Sequence, residues 1–333
     1  MKVLNSVTKL RNNSGVHYIC YLERFKIMNK YILLFALAIT AVSCNQKEPE
    51  TAENQKIKVV CTTGIVADWT TQVLQYAQGF EVNTLIENGL DPHVYKPSMR
   101  DLTVLKEADI IVYSGLHLEG KVEEVLEKLG DEKLIINAAA KFGAEVISDP
   151  NFEASIDPHY WFDVEMVKVA SAHIGDRIIE HYPPLQEEVN KAVVVHSQAL
   201  DTLSLWTKSR LGAIDSNMRI IITTHDALSY YARAFDMQVK TLQGASTVSE
   251  FGLKEITELV DFITENKIKT IFLENIISPQ AMEAVQRGCS EKGWKVKIGP
   301  ELLSDSLGNE EDQNSYTEMM VFNTNTLVNY LGA

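Results

Sequence analysis

Residues 185–211 read LQEEVNKAVVVHSQALDTLSLWTKSRL, with Pro183-Pro184 before them and Gly212 after them. Proline stops the helix that precedes it, and glycine marks a helix C-terminus. The stretch is therefore predicted to be one long helix. What lies on either side of it decides the fold. Before it, Lys58-Val59-Val60-Cys61-Thr62, Val82-Asn83-Thr84-Leu85-Ile86, Asp109-Ile110-Ile111-Val112-Tyr113 and Leu134-Ile135-Ile136 are short apolar runs of strand type. Helical stretches separate them, at 65–78, after Ser98 and at 121–129, and a further helix covers 163–181. Ser98 fits an N-cap, with Asp101 in the first turn. After the long helix the alternation restarts. Strands are expected at 219–223, 238–240, 270–273 and 295–298, and helices at 227–235, 279–292 and 315–331. Leu253, Ile256, Leu259, Val260 and Ile263 form the apolar stripe of one more helix. Alternating strands and helices imply parallel sheets covered on both faces. The expected fold is α/β with two lobes, each a mostly parallel β-sheet flanked by helices, joined by one long linking helix. The lobes are set at 57–184 and 213–333, and the linker at 185–212.

The composition is globular, and it limits the partners. Of 333 residues, 31 are Lys or Arg and 45 are Asp or Glu, a formal net charge of -14. Phosphate contacts need clustered basic residues, so nucleic acid is excluded as the main partner. The acidic balance suits a cation better.

The N-terminus does not belong with the body. Met28-Asn29-Lys30 is followed by an apolar run, Tyr31 to Thr40, and then by Ala41-Val42-Ser43-Cys44. This is a secretory leader, too short for a membrane span. Small residues directly before a cysteine resemble the lipobox of bacterial lipoproteins, with Ala41 where leucine is usual. The expectation is a signal peptide at 28–43, lipidation at Cys44, and an upstream extension from a mis-called start at 1–27. Residues 44–56 are polar and read as a flexible tether. Cys61 and Cys289 are isolated and form no CxxC pair. Cys61 reads as a buried thiol.

The chemistry lies in the loops. Asp91-Pro92-His93-Val94-Tyr95 recurs as Asp157-Pro158-His159-Tyr160-Trp161. Proline stiffens the backbone before each histidine, and an Asp could accept the second imidazole N–H. Either copy alone reads more simply as a turn. Two copies in a chain with 8 His argue against coincidence. His225 follows the strand Ile220-Ile221-Ile222-Thr223, at the functional end of a parallel sheet. Asp305 lies in a loop after the last strand and would pass alone for a turn residue. Together the four offer His93, His159, His225 and Asp305 as ligands. Four N/O ligands at about 2.0–2.2 Å close a tetrahedron around Zn2+. Three imidazoles favour Zn, Fe, Ni or Cu over Ca and Mg, and the carboxylate keeps Mn2+ open. Asp91, Asp157, Asp226 and Glu274 are candidates for supporting these ligands, and Glu274 is balanced against a surface role. His117 reads as structural or supporting. His173, His181 and His196 fall on helices.

These pieces resemble the cluster A-I metal-binding proteins of bacterial ABC transporters, the zinc/manganese solute-binding family, over residues 57–331. The motifs that carry the resemblance are Asp91-Pro92-His93-x-Tyr95-x-Pro97, Gly115-Leu116-His117-Leu118-Glu119-Gly120 and Asp157-Pro158-His159-x-Trp161-x-Asp163. To these add Thr224-His225-Asp226-Ala227, Gly244-Ala245-Ser246-Thr247 and Ser304-Asp305-x-Leu307-Gly308. The resemblance implies that His93, His159, His225 and Asp305 bind the metal, and that the linking helix is rigid. It implies a cognate permease and ATPase as partners, no enzymatic activity and a monomer. The protein would be extracytoplasmic, anchored to the bacterial membrane through Cys44, in the periplasm or at the cell surface. The stretch 94–158 holds only His117 and lacks the His- and acid-rich loop of many zinc-dedicated members. Histidine rather than glutamate as third ligand points back to zinc. Zinc is therefore expected first and manganese second.

Asp305, in a loop between Gly299 and Gly308, is expected to be the ligand that moves on release. From another class, a secreted zinc hydrolase would need three ligands, a bound water and a base such as Asp226 or Glu274. No HExxH or comparable motif is present. Adhesion is a third expectation for a surface lipoprotein.

Overall fold

In a computed structural model, Val59 to Cys61 and Ile110 to Val112 are nearly devoid of solvent exposure. Runs of this kind, apolar on both faces, can only be the centre of a sheet sandwiched between helices. The structure describes residues 56–130, 133–148, 156–248 and 250–332. The expected leader, the lipidation site at Cys44 and the tether up to 55 lie outside them. No described helix is long and apolar enough to cross a membrane.

The first half contains β1 (Ile57–Cys61), α1 (Gly64–Val73), β2 (Phe80–Thr84), α2 (Met99–Glu107), β3 (Ile110–Tyr113), α3 (Gly120–Leu129) and β4 (Leu134–Asn137). Its four strands run parallel in the order β2-β1-β3-β4. The expected cap of α2 is present as a reciprocal box. Ser98 Oγ accepts from the Asp101 backbone N–H, and Asp101 accepts from the Ser98 N–H. α1 ends at Val73 rather than 78, because the chain turns toward Gly79 at φ +85.

Next come α4 (Val164–His181) and α5 (Gln186–Leu211). At 26 residues, α5 is about 39 Å long. Glu187 and Glu188 sit in its first turn, and Lys208 and Arg210 in its last, as the helix dipole favours. Its buried residues, Val189, Ala192, His196, Leu200, Leu203, Thr207 and Leu211, recur every three or four positions. Gly175 on α4 lets the two helices approach. A Cβ there would lie 2.9 Å from Val193 Cγ2. Gly212 caps α5 but keeps a right-handed φ of -57, so its left-handed freedom is not used.

The second half contains β5 (Ile220–Thr223), α6 (Ser229–Phe235), β6 (Gln238–Thr241), α7 (Leu253–Glu265), β7 (Thr270–Glu274), α8 (Gln280–Glu291), β8 (Lys297–Leu302) and α9 (Tyr316–Leu331). Its strands pair in parallel as β5-β6 and β7-β8, two short ladders rather than one continuous sheet. β8 lies later than the expected 295–298. The register slips between Ile271 and Leu273, opposite Gly299-Pro300, where proline has no N–H to give.

One apolar core runs through both halves. It joins Val59, Trp69, Tyr160 and Trp161 to Ile221, Tyr231, Leu303 and Tyr316. Each large side chain buried there contributes about 1.5–3 kcal/mol. Smaller clusters fill the outer faces, around Leu105 in the first half and around Val260 in the second. The C-terminal strand ends of both halves face a common cleft, where ligands of such sheets bind.

Candidate metal centre

Each of the four candidate ligands sits just beyond an ordered element. His93 follows β2, His159 precedes α4, His225 follows β5 and Asp305 follows β8. The two Asp-Pro-His copies share one local device. Asp91 Oδ1 accepts the His93 backbone N–H at 2.9 Å, and Asp157 Oδ1 accepts that of His159 at 2.9 Å. An Asp that caps the amide two residues on makes a tight turn and projects the next side chain. The copies then diverge. Asp157 Oδ1 also takes the His159 Nδ1 proton at 2.7 Å. Asp91 instead spends Oδ2 on the Thr247 hydroxyl, at 2.7 Å.

The four side chains converge. His159 and His225 are fully buried, Asp305 is 1% exposed and His93 is 9% exposed. The Nε2 atoms of His93 and His225 lie 3.2 and 3.3 Å from His159 Nε2. The Asp305 carboxylate lies 3.2 Å from His93 Nε2 and 3.3 Å from the Nε2 of both His159 and His225. Ligands at 2.0–2.1 Å from the centre of a tetrahedron stand about 3.3–3.4 Å apart. The spacing thus fits one small cation. Although the nitrogens are this close, neither Asp305 oxygen accepts a hydrogen bond of ordinary geometry. Among the described residues, this is the one group of three or more His, Cys, Asp or Glu side chains that could hold an ion.

Two carboxylates stand behind the imidazoles. Asp157 takes the His159 Nδ1 proton and leaves the Nε2 lone pair for the centre, while Glu274 Oε2 stands 2.5 Å from His225 Nδ1 outside ordinary hydrogen-bond geometry. Glu274 Oε1 also accepts the backbone N–H groups of Thr224 and His225, both at 2.9 Å. Glu274 is thus inside the fold, not on its surface.

Charge follows from this arrangement. Burial would depress the His159 pKa, but Asp305 and Asp157 outweigh it and push it up to about 9. Against the same burial, Glu274 and Asp305 carry His225 well above the ordinary imidazole value. Burial would raise Asp305, yet the charges of His225 and His159 hold it well below the carboxylate range. His93 is lowered, chiefly by burial. A cation at the centre would compete with protons for these imidazoles.

The other sequence candidates are not among the four converging side chains. Asp226 accepts from Ser229 Oγ at 2.7 Å in the turn before α6. His117, largely exposed, pairs with Glu123 at 3.0 Å. His173 and His196 are buried on α4 and α5. Cys61 and Cys289 are free and sit in different core clusters, and burial pushes the Cys61 thiol up to about 12. Sequence reasoning gave no role to Trp161, whose ring packs edge-on to His159 at 5.1 Å while its Nε1 bonds the Ser304 carbonyl. Asn275, directly after Glu274, was also missed. It bonds the Ser304 N–H and the Ser306 carbonyl around Asp305. Its place at a strand end was the only signal.

The family model described as "Zinc-uptake complex component A periplasmic" matches residues 59–330. The manganese-binding lipoprotein MntA of Bacillus subtilis (strain 168) is 33% identical over 301 residues, 90% of this chain and 97% of that protein. The zinc-binding protein TroA of Treponema pallidum (strain Nichols) is 33% identical over 281 residues, 84% of this chain and 90% of that protein. A solved structure of the periplasmic zinc-binding protein TroA matches with a TM-score of 0.79 at 32% identity. It covers 83% of this chain and 99% of that one.

Proposed function

The chain belongs to the family of metal-binding substrate-binding proteins of ABC transporters that the zinc-uptake component A model describes, and from that premise we propose that it captures one Zn2+ ion at His93, His159, His225 and Asp305 for import. Members of this family are transport proteins, not enzymes, which sets the hydrolase expectation aside.

The observation that carries the zinc reading is the set of 3.2–3.3 Å spacings among three imidazole nitrogens and one carboxylate. Closed four-coordinate shells of nitrogen and oxygen suit Zn2+, and Zn2+ outranks Mn2+ for such ligands. Manganese is the second reading. Asp305 turns both oxygens to the imidazoles, Oδ1 to His159 and Oδ2 to His93 and His225. A bidentate carboxylate would raise the coordination number, as Mn2+ prefers. The relative MntA is named for manganese.

In this reading the exported chain is a lipoprotein. The signal is 28–43, the anchor is at Cys44, the tether is 44–56, and 1–27 is an extension outside the mature protein. The lobes 57–184 and 213–333, joined through 185–212, act as a monomer outside the cytoplasm and deliver the ion to a membrane permease driven by an ATPase.

The test is elemental analysis of the chain from residue 45, which holds the whole core described above. The protein is stripped and then offered equal Zn2+ and Mn2+. One zinc per chain that resists excess manganese supports the proposal. One manganese per chain held under zinc challenge moves the assignment to manganese, and no retained metal removes it.

A further inference from the structure

His93 is held differently from the other three ligands. Asp157 holds the His159 ring through Nδ1, and the Glu274 carboxylate stands 2.5 Å from His225 Nδ1. Asp305 is fastened through its loop. The Leu303 N–H goes to Asn323 Oδ1 at 2.9 Å, and Asn323 Nδ2 returns to the Leu303 carbonyl at 2.8 Å. Asn275 and Trp161 hold Ser304 on both sides, at 3.1 and 3.0 Å. Five side-chain bonds, counting Asn275 Nδ2 to the Ser306 carbonyl, tie down the segment that was expected to move on release. Among the described residues, His93 alone of the three imidazoles has no carboxylate on Nδ1.

His93 also stands at the way out. It lines a recess of about 530 Å3 together with His117, Glu123, Ser246 and Val248, and none of the other three ligands reaches that wall. What holds His93 in place is its backbone. Asp91 Oδ1 takes its N–H, and Asp91 Oδ2 takes the hydroxyl of Thr247, which comes from the other half of the chain. Gly89 N to Ser306 Oγ, at 2.7 Å, secures the same loop on its far side.

We infer that Thr247 is a positioning residue for metal retention: its hydroxyl, through Asp91, latches the His93 turn closed, and the ion leaves on the His93 side when that bond opens. The inference rests on the metal-binding reading above. Opening the latch costs one hydrogen bond to a carboxylate and leaves the carboxylate free to rehydrate, because Asp91 and Thr247 are only half-buried. Moving Asp305 instead would break several bonds in the interior.

The test is the rate at which zinc passes from the loaded protein (the chain from residue 45) to an excess of a colorimetric chelator. Wild type is compared with Thr247→Val, which keeps the shape and removes the hydroxyl, and Thr247→Ser, which restores it. Thr247→Val is expected to release zinc about tenfold faster, the loss of one charge-assisted hydrogen bond. Thr247→Ser is expected to stay within about threefold of wild type, and the three metal-free proteins to melt within about 4 °C of one another, the shift that one half-buried hydrogen bond makes in a chain of this size. Release from Thr247→Val at the wild-type rate, with wild type holding one zinc, overturns the latch and leaves the metal site standing. Equally fast release from both variants also overturns it, because the hydroxyl would then not be the cause. Wild type that retains no zinc overturns the site and the latch together.

Discussion

The Glu274 carboxylate meets the Thr224–His225 segment at three points. Oε1 accepts the backbone N–H groups of Thr224 and His225, and Oε2 faces His225 Nδ1 at 2.5 Å. One side chain from the end of β7 thereby ties down the end of β5 and sets a negative charge beside the His225 ring.

Glu274→Gln keeps the acceptor for the backbone but turns a neutral amide toward Nδ1. We expect zinc affinity to fall by about 10–100-fold, the usual effect of losing a carboxylate behind a metal-bound histidine. Glu274→Ala should also lower the stability of the metal-free protein, because two buried N–H groups lose their partner. Chelator competition and thermal melts read the two effects separately.

Binding to the native state alone raises the melting temperature, by about 4 kcal/mol of stabilisation at a thousandfold excess over the dissociation constant. Wild type should show a large upward shift with zinc. Asp305→Asn removes the one anionic ligand, and the zinc-induced shift should shrink to less than half. Differential scanning calorimetry with and without zinc checks this.

Glu119 provides a pH prediction away from the metal. Burial pushes its pKa from 4.5 up to about 7, although Thr62 Oγ1 and the Ser114 N–H both donate to Oε1. Its other oxygen has no partner. The native state therefore keeps a proton that the unfolded chain gives up between pH 4.5 and 7. The Glu119 contribution to the unfolding free energy should fall as pH rises through that window and then stay constant, by about 3 kcal/mol in total. Glu119→Gln is uncharged throughout. Urea titrations at pH 5 and pH 8 should show the variant gaining on wild type at the higher pH.

Gly175 meets Val193 and Val189 of α5 with no room for a side chain. Gly175→Ala should destabilise the metal-free protein by about 1–3 kcal/mol through overpacking, visible as a lower urea midpoint. Zinc affinity measured below the transition should not change, since the site lies elsewhere.

The fold could be read because its signals are local. Apolar runs such as Val59 to Cys61 and the bounded stretch 185–211 reveal strand and helix without knowledge of their neighbours. β8 was misplaced because Gly299-Pro300 hides a strand that forms only through its partner β7. The histidines were legible through the Asp-Pro-His repeat and through the strand end before His225. Thr247 was not. Its partner Asp91 lies 156 residues away, and a hydroxyl in a loop has no pattern of its own. Trp161 and Asn275 were missed for the same reason, because each acts on a segment far along the chain.

The most direct test of the central claim is a crystal structure of the zinc-loaded protein, with anomalous scattering collected at the zinc edge. We expect one strong peak about 2.0–2.2 Å from Nε2 of His93, His159 and His225 and from the Asp305 carboxylate, with no water completing the shell. An ion bound by fewer of these groups with an open water position, or lying away from all four, would contradict it.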